Sequence, residues 1–142
     1  MNYVLDTNAV SAIMKGDPTF LERLRSKSKK SVSVPQPVLA EIAYGIARLP
    51  KSRRRDALRH RFEVVKAELA RSDWSDDVSG AFGAIKSSLE KKGLRIEDFD
   101  AAIAAHALAR DAVLVTANVE HMIRVTGLTV EDWSAAAERD TP

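Results

Sequence analysis

The feature that most constrains this chain is a recurrence: short apolar runs stop on polar residues and give way to helix-forming segments. Asn2 to Leu5, with Tyr3, Val4 and Leu5 apolar, precede Asp6, Thr7 and Asn8; Ser31 to Val34 precede Pro35; Ala112 to Val115 precede a polar stretch from Thr116 to Glu120. Runs this short and this apolar suit strands buried on both faces. Parallel neighbours need crossover connections, and the intervening stretches are long enough to supply helices. The pattern therefore predicts an α/β fold with a mainly parallel sheet covered on both faces. In such folds the reactive side chains gather where the strands end, so Asp6, Asn118 and the acidic group near Asp100 can converge despite their separation.

Helix signals fill the gaps. Residues 9–14 and 19–26 read as two helices about a turn at Gly16 to Pro18. Pro35 suits the start of a third, expected to reach about Leu49 before Pro50. Ser52 can cap a helix from Arg53 to Leu69 whose apolar face is Leu58, Phe62, Val65 and Leu69. A very short strand is expected between Leu69 and Trp74, then a helix after Ser75 that runs to Lys92 and stops at Gly93. The Ala-rich helix from Asp98 to Ala109 is expected to bury one face against the sheet. Met122 to Val130 can hold a small helix, a turn and a strand before Trp133.

The chain has 142 residues, 45% of them hydrophobic, enough for one domain with a real core. No repeat or linker divides it, so residues 1–134 are expected to form a single domain and 135–142 a flexible tail. With no cysteine, disulfides, thiolate metal sites and cysteine nucleophiles are excluded. The start, MNYVLDTN, lacks the pattern of a secretory leader, and no apolar stretch is long enough to span a membrane, so a cytoplasmic location is expected.

The formal charge of +2 hides an asymmetry: residues 1–96 carry 19 basic and 11 acidic side chains, residues 97–142 carry 3 and 9. Differently charged helix exteriors would produce this, and so would a basic holding surface beside an acidic centre.

Glu41 lies in the apolar context Val38, Leu39, Ala40, Ile42 and Ala43. It can snorkel to water, or it can join Asp6 and Asp100. Three carboxylates in one cleft repel unless protonated or balanced by a cation, and Mg²⁺, with Mn²⁺ as substitute, is the ordinary hard ion for such ligands. A site of that kind can orient a phosphodiester and activate water. Thr7, Asn8, Thr116 and Asn118 can position water or phosphate, or simply cap turns and helices.

These residues sit in LDTN at 5–8, LAEIAYGI at 39–46, FDAAIAAHALA at 99–109 and VTAN at 115–118, an ordered set that resembles a PIN domain. With GLTVEDW at 127–133, the chain resembles the VapC-type ribonuclease toxins of toxin–antitoxin modules over nearly its whole length. The resemblance implies a three-layer α/β/α sandwich with a central mainly parallel sheet, and a divalent-ion-dependent endoribonuclease acting on RNA. It also implies a homodimer neutralised by a cognate antitoxin, in a heterotetramer or larger assembly that associates with promoter DNA through the antitoxin.

Carried over residue by residue, the resemblance makes Asp6, Glu41 and Asp100 the metal-holding catalytic acids, with Asp98 an auxiliary group or a helix cap. The fourth catalytic position falls on Asn118, an amide without charge. Some relatives place an acid three residues later, where this chain has His121, and Glu120 is left as a source of longer-range negative charge. His106 is expected at the surface or an interface, and His60 among basic residues is unpersuasive as a catalyst.

Two basic groups are candidates for RNA or antitoxin contact: Arg25, Lys27, Lys29 and Lys30, and the stretch containing Arg48, Lys51, Arg53, Arg54, Arg55, Arg59 and Arg61. No aromatic ladder accompanies them. A PIN-like interaction protein with weak or no catalysis is the alternative from a different class, and a DNA-directed nuclease is a third reading.

Overall fold

The computed structural model describes residues 1–134; the expected tail at 135–142 lies outside the described residues. The apolar runs become β1 (Tyr3–Leu5), β2 (Val32–Pro35) and β4 (Val113–Val115), joined by β3 (Ala70–Ser72) and β5 (Val130–Glu131). They form one sheet in the order β3-β2-β1-β4-β5, and each adjacent pair is parallel. The helices are α1 (Thr7–Lys15), α2 (Pro18–Arg25), α3 (Gln36–Ala47), α4 (Arg53–Glu68), α5 (Asp76–Lys91), α6 (Asp98–Ala109) and α7 (Val119–Met122). Together they make the expected α/β/α sandwich.

The strand order explains where chemistry can occur. The chain moves outward through β1, β2 and β3, then returns to place β4 on the other side of β1. The crevice at that reversal opens beyond the carboxyl ends of β1 and β4, where crossovers depart in opposite directions and leave space for a ligand. Register brings Leu5 opposite Val115, and the Asp6 amide donates to the Val115 carbonyl at 3.1 Å. Asp6 and Thr116 therefore emerge side by side. Beneath them Val4, Leu5, Leu114 and Val115 have no exposed surface, which fixes the strands' positions.

Local signals account for most helix boundaries. Asp6, Asp17, Ser52 and Ser75 cap α1, α2, α4 and α5 through side-chain oxygens that accept the free amides of the first turn. Gly16 ends α1 at φ 72°, a left-handed conformation that glycine adopts without the Cβ penalty.

Several expectations need correction. Pro35 is not inside the helix: it closes β2 and stands at the N-cap of α3, while Pro37 occupies the first turn. That helix ends at Ala47, short of Leu49. The polar stretch after β4 is not loop throughout, since α7 begins at Val119. The Ala-rich α6 buries seven consecutive residues, Ala101 to Ala107, because it contacts β1 and β4 as well as α3 and α5. His106 is therefore fully buried rather than at the surface. Its Nδ1 lies 2.8 Å from Ser72 Oγ, and its ring meets Trp74 edge-on at 5.4 Å. No helix among the described residues is long and apolar enough to cross a membrane.

Candidate active site

Asp6 is the best-anchored acid. It is nearly buried, with 4% of its surface exposed. Oδ1 accepts from the Ala9 amide at 3.1 Å, Oδ2 accepts from Asn8 Nδ2 at 3.0 Å, and the Thr116 hydroxyl donates to the same carboxyl group. Burial pushes its pKa up to about 6, and the nearby Asp100 adds to the rise, against the three hydrogen bonds, which favour the charged form.

Asp100 stands on the first turn of α6, which packs against β1 and β4 and brings it into the same cleft as Asp6. Burial raises its pKa too, with a contribution from Glu97, while His121 acts in the opposite direction. His121 Nε2 lies 3.7 Å from Asp100 Oδ2. Arg124 Nη2 lies 3.0 Å from His121 Nδ1 and also donates to the Arg95 carbonyl at 2.7 Å. The same Nη2 lies 3.3 Å from His121 Nε2, so the guanidinium sits against both ring nitrogens and fixes the imidazole beside Asp100.

Glu41 comes from the second turn of α3, whose Val38, Leu39, Ile42 and Ile46 are buried and hold the helix rotation that turns Glu41 to the crevice. The Thr7 hydroxyl donates to Glu41 Oε1. Thr7 thus braces one of the acids.

Asp6, Glu41 and Asp100, from three distant segments, line one open cleft of about 480 Å³ together with Thr7, Asn8 and Asn118. Asn8 braces the floor, its Oδ1 accepting from the Ala117 amide at 2.8 Å and its Nδ2 reaching Thr116 Oγ1 at 3.4 Å. Thr116 is buried beneath the cleft, and its hydroxyl oxygen accepts from the Asn118 amide at 2.9 Å.

Other sequence candidates lie elsewhere. Asp98 is exposed, pairs with Lys86 and borders an adjoining cavity of about 820 Å³ that meets the cleft at Glu41. Glu120 is exposed on α7 and does not line the cleft. Lys29 and Lys30 lie in a 3₁₀ turn that leads into the amino end of β2, the sheet edge opposite the acids. Of their neighbours, Lys27 sits 4.9 Å over the Tyr3 ring and Lys29 pairs with Glu68 at 3.1 Å, while Arg25 ends α2. Arg55 is occupied by the Leu49 carbonyl at 3.3 Å, which braces the α3–α4 turn; Arg53, Arg54 and Arg59 are exposed on α4.

Sequence reasoning missed Ser11 and Lys15, which also line the cleft. A signal was present: Thr7, Ser11 and Lys15 are spaced four apart and share one face of α1. Arg124 was missed as the residue that holds His121.

Among the described residues no group of three His, Cys, Asp or Glu side chains forms a ready-made metal cluster. The donor chemistry nevertheless fits a hard cation. Mg²⁺ keeps several waters and uses one or two carboxylates plus substrate phosphate, so an open cleft with all-oxygen donors suits it better than a closed cage would. The raised Asp6 and Asp100 are groups whose charged forms a cation would favour.

Comparison with known proteins supplies independent findings. The PIN domain family matches residues 3–128. The chain is 33% identical over 135 residues to Ribonuclease VapC2 of Rickettsia felis, covering 94% of this chain and 98% of that protein. It is 29% identical over 137 residues to the tRNA(fMet)-specific endonuclease VapC of Shigella flexneri, covering 94% and 99%. Its fold superposes on a crystal structure of VapBC2 from Rickettsia felis bound to a promoter DNA fragment with a TM-score of 0.83 at 30% identity, covering 94% and 99% of the two chains. For DNA-bound VapBC from Salmonella typhimurium the TM-score is 0.80 at 26% identity, covering 94% and 98%.

Proposed function

The chain belongs to the PIN domain family and is homologous to the VapC-type ribonucleases of toxin–antitoxin modules, and from that premise we propose a divalent-metal-dependent endoribonuclease toxin. The observation that carries this reading is the meeting of Asp6, Glu41 and Asp100 in one cleft at the strand-carboxyl edge.

In this reading Asp6, Glu41 and Asp100 hold Mg²⁺, or Mn²⁺ in its place, and Asn118 orients a water or the ion. The bound ion would offset the carboxylates' repulsion, polarise a nonbridging phosphate oxygen and lower the pKa of a water. The chain's own groups supply the positioning. Ala9, Asn8 and Thr116 hold the Asp6 oxygens at the crevice, Thr7 holds Glu41, and His121 faces Asp100. Rigid anchoring matters because displacement of a catalytic group by about 1 Å can cost about a hundredfold in rate.

The solved VapBC structures pair toxin with antitoxin on DNA, which supports a cognate antitoxin for this chain and indirect promoter association through it. A homodimer within a heterotetramer or larger assembly belongs to the same proposal.

One observation favours a second reading, a PIN-like interaction protein with weak or no turnover. The fourth position is an amide, Asn118, and the residue three places on is His121, so the cleft carries less negative charge than four acids would supply.

A matched RNA and DNA cleavage assay separates these readings. The ribonuclease predicts RNA cleavage that EDTA abolishes, Mg²⁺ or Mn²⁺ restores and Asp6→Asn removes in folded protein. Full cleavage by Asp6→Asn would overturn the assignment. Partner binding without metal-dependent cleavage supports the interaction protein, and preferential DNA cleavage supports a DNA-directed nuclease.

A further inference from the structure

Lys15 is shared by two surface depressions. One is the carboxylate cleft; the other, of about 370 Å³, lies where the end of α1 meets α4 and is lined by Ile13, Met14, Gly16, Arg61, Val64 and Val65. The two therefore adjoin at Lys15, with Arg61 beyond it in the second. Arg61 Nη1 donates to the Met14 carbonyl at 3.4 Å, which anchors the guanidinium at the end of α1. The left-handed Gly16 stops α1 directly after Lys15, so no further helical turn covers it.

Both cations are exposed, and neither forms an ion pair with a carboxylate among the described residues. The floor between them is apolar, with Val64 half exposed. This combination has a consequence for a polyanion. A cleft with three carboxylates repels the phosphates that flank the reacting one, and cations are needed where the strand leaves it.

We infer that Lys15 and Arg61 grip the phosphodiester backbone of the RNA strand as it leaves the carboxylate cleft, with the apolar floor beneath the ribose or base. The inference rests on the ribonuclease reading above. An acidic protein segment would also seek two cations, but Lys15 lines the same cleft as Asp6, Glu41 and Asp100, which favours the polymer on which those carboxylates act. α4 adds further positive charge, with Arg54 and Arg59 exposed on the same helix.

The test measures binding of a short, fluorescein-labelled, mixed-sequence single-stranded RNA in EDTA, so that cleavage plays no part. The full chain is compared with Lys15→Gln, Arg61→Gln and the double variant, thermal unfolding confirming that each is folded. Arg110→Gln, at the end of α6 remote from Asp100, is the charge control. The double variant should bind about tenfold more weakly at low salt, and the slope of log affinity against log salt should shrink by about 1.4, or about 0.7 for each phosphate no longer neutralised. Arg110→Gln should leave that slope unchanged.

If wild type binds and cleaves RNA but the double variant keeps its affinity and slope, this inference is wrong while the ribonuclease reading stands. If wild type neither binds nor cleaves RNA, the ribonuclease reading itself fails. A parallel titration with a poly-glutamate peptide should show little weakening in the double variant; a weakening as large as that for RNA overturns the assignment in favour of an acidic protein partner. Where Arg61→Gln does not fold, Lys15→Gln alone should still reduce the slope by about 0.7.

Discussion

The Thr7 hydroxyl donates a hydrogen bond to Glu41 Oε1 across thirty-four positions of sequence, joining the first turn of α1 to the second turn of α3. The bond ties the acid that comes from outside the β1–β4 crevice to the helix that Asp6 caps. Thr7→Val keeps the side-chain shape and removes the donor. It should lower kcat for RNA cleavage by about ten- to a hundredfold through misplacement of Glu41, with a stability cost of about 1 kcal/mol. Thr7→Ser should retain most activity. Equal rates for Thr7→Val and wild type in a single-turnover assay would show that Glu41 needs no such support.

Asp6 should weaken the fold at neutral pH. Its folded pKa of about 6 lies above the ordinary 3.8, so between these values the native state binds more protons than the unfolded chain, and stability falls as pH rises. The cost is absent below about pH 4 and complete above about pH 6. Asp6→Asn should therefore stabilise the metal-free protein at pH 7.5, by up to about 3 kcal/mol, and lose that advantage near pH 4. Urea midpoints at the two pH values provide the measurement. Mg²⁺ should raise the Tm of wild type more than that of the variant, since binding to the folded state stabilises it.

His106 should act in the opposite sense. Burial, with Arg110 assisting, lowers its pKa to about 4 against the opposing pull of Asp73. The unfolded chain therefore binds more protons between about pH 4 and the ordinary 6.5, and stability drops as pH falls through that window. Up to about 3 kcal/mol is at stake. His106→Gln should flatten this acid limb while costing stability at pH 7, because Ser72 Oγ would no longer have the imidazole as its hydrogen-bond partner; an unchanged acid limb would show that another group controls it.

His121→Asp should replace a partner of Asp100 with a repelling charge. Without metal the Tm should fall, and the rise on adding Mg²⁺ should be larger than in wild type, because a fourth negative group makes the cation's contribution greater. A metal-dependent Tm shift no larger than that of wild type would exclude position 121 from the site's electrostatics.

Much of the architecture was legible because it is written in local chemistry. Apolar triplets ending on polar residues located β1 and β4, the run from Ser31 to Val34 before Pro35 located β2, and Ser52 and Ser75 marked helix starts through the free amides they accept. Asp6, Glu41 and Asp100 stood out as acids in distinctive segments, and their motif order carried the family resemblance. Where a basic residue would fall was not legible for the same reason: side-chain type is local, whereas the placement of Lys29 at the amino end of β2 is not.

The sequence by itself determined the alternation of strands and helices, the caps and the identity of the acids, since those depend on neighbours within a turn or two. Only the tertiary structure decided that Thr7 holds Glu41, that His121 faces Asp100, that His106 is buried against Ser72 and that Lys15 bridges two depressions. The physical reason is the strand order. The return of the chain to set β4 beside β1 creates the crevice, and pairs separated by tens of residues meet only after the crossovers close and the core locks their helices in rotation.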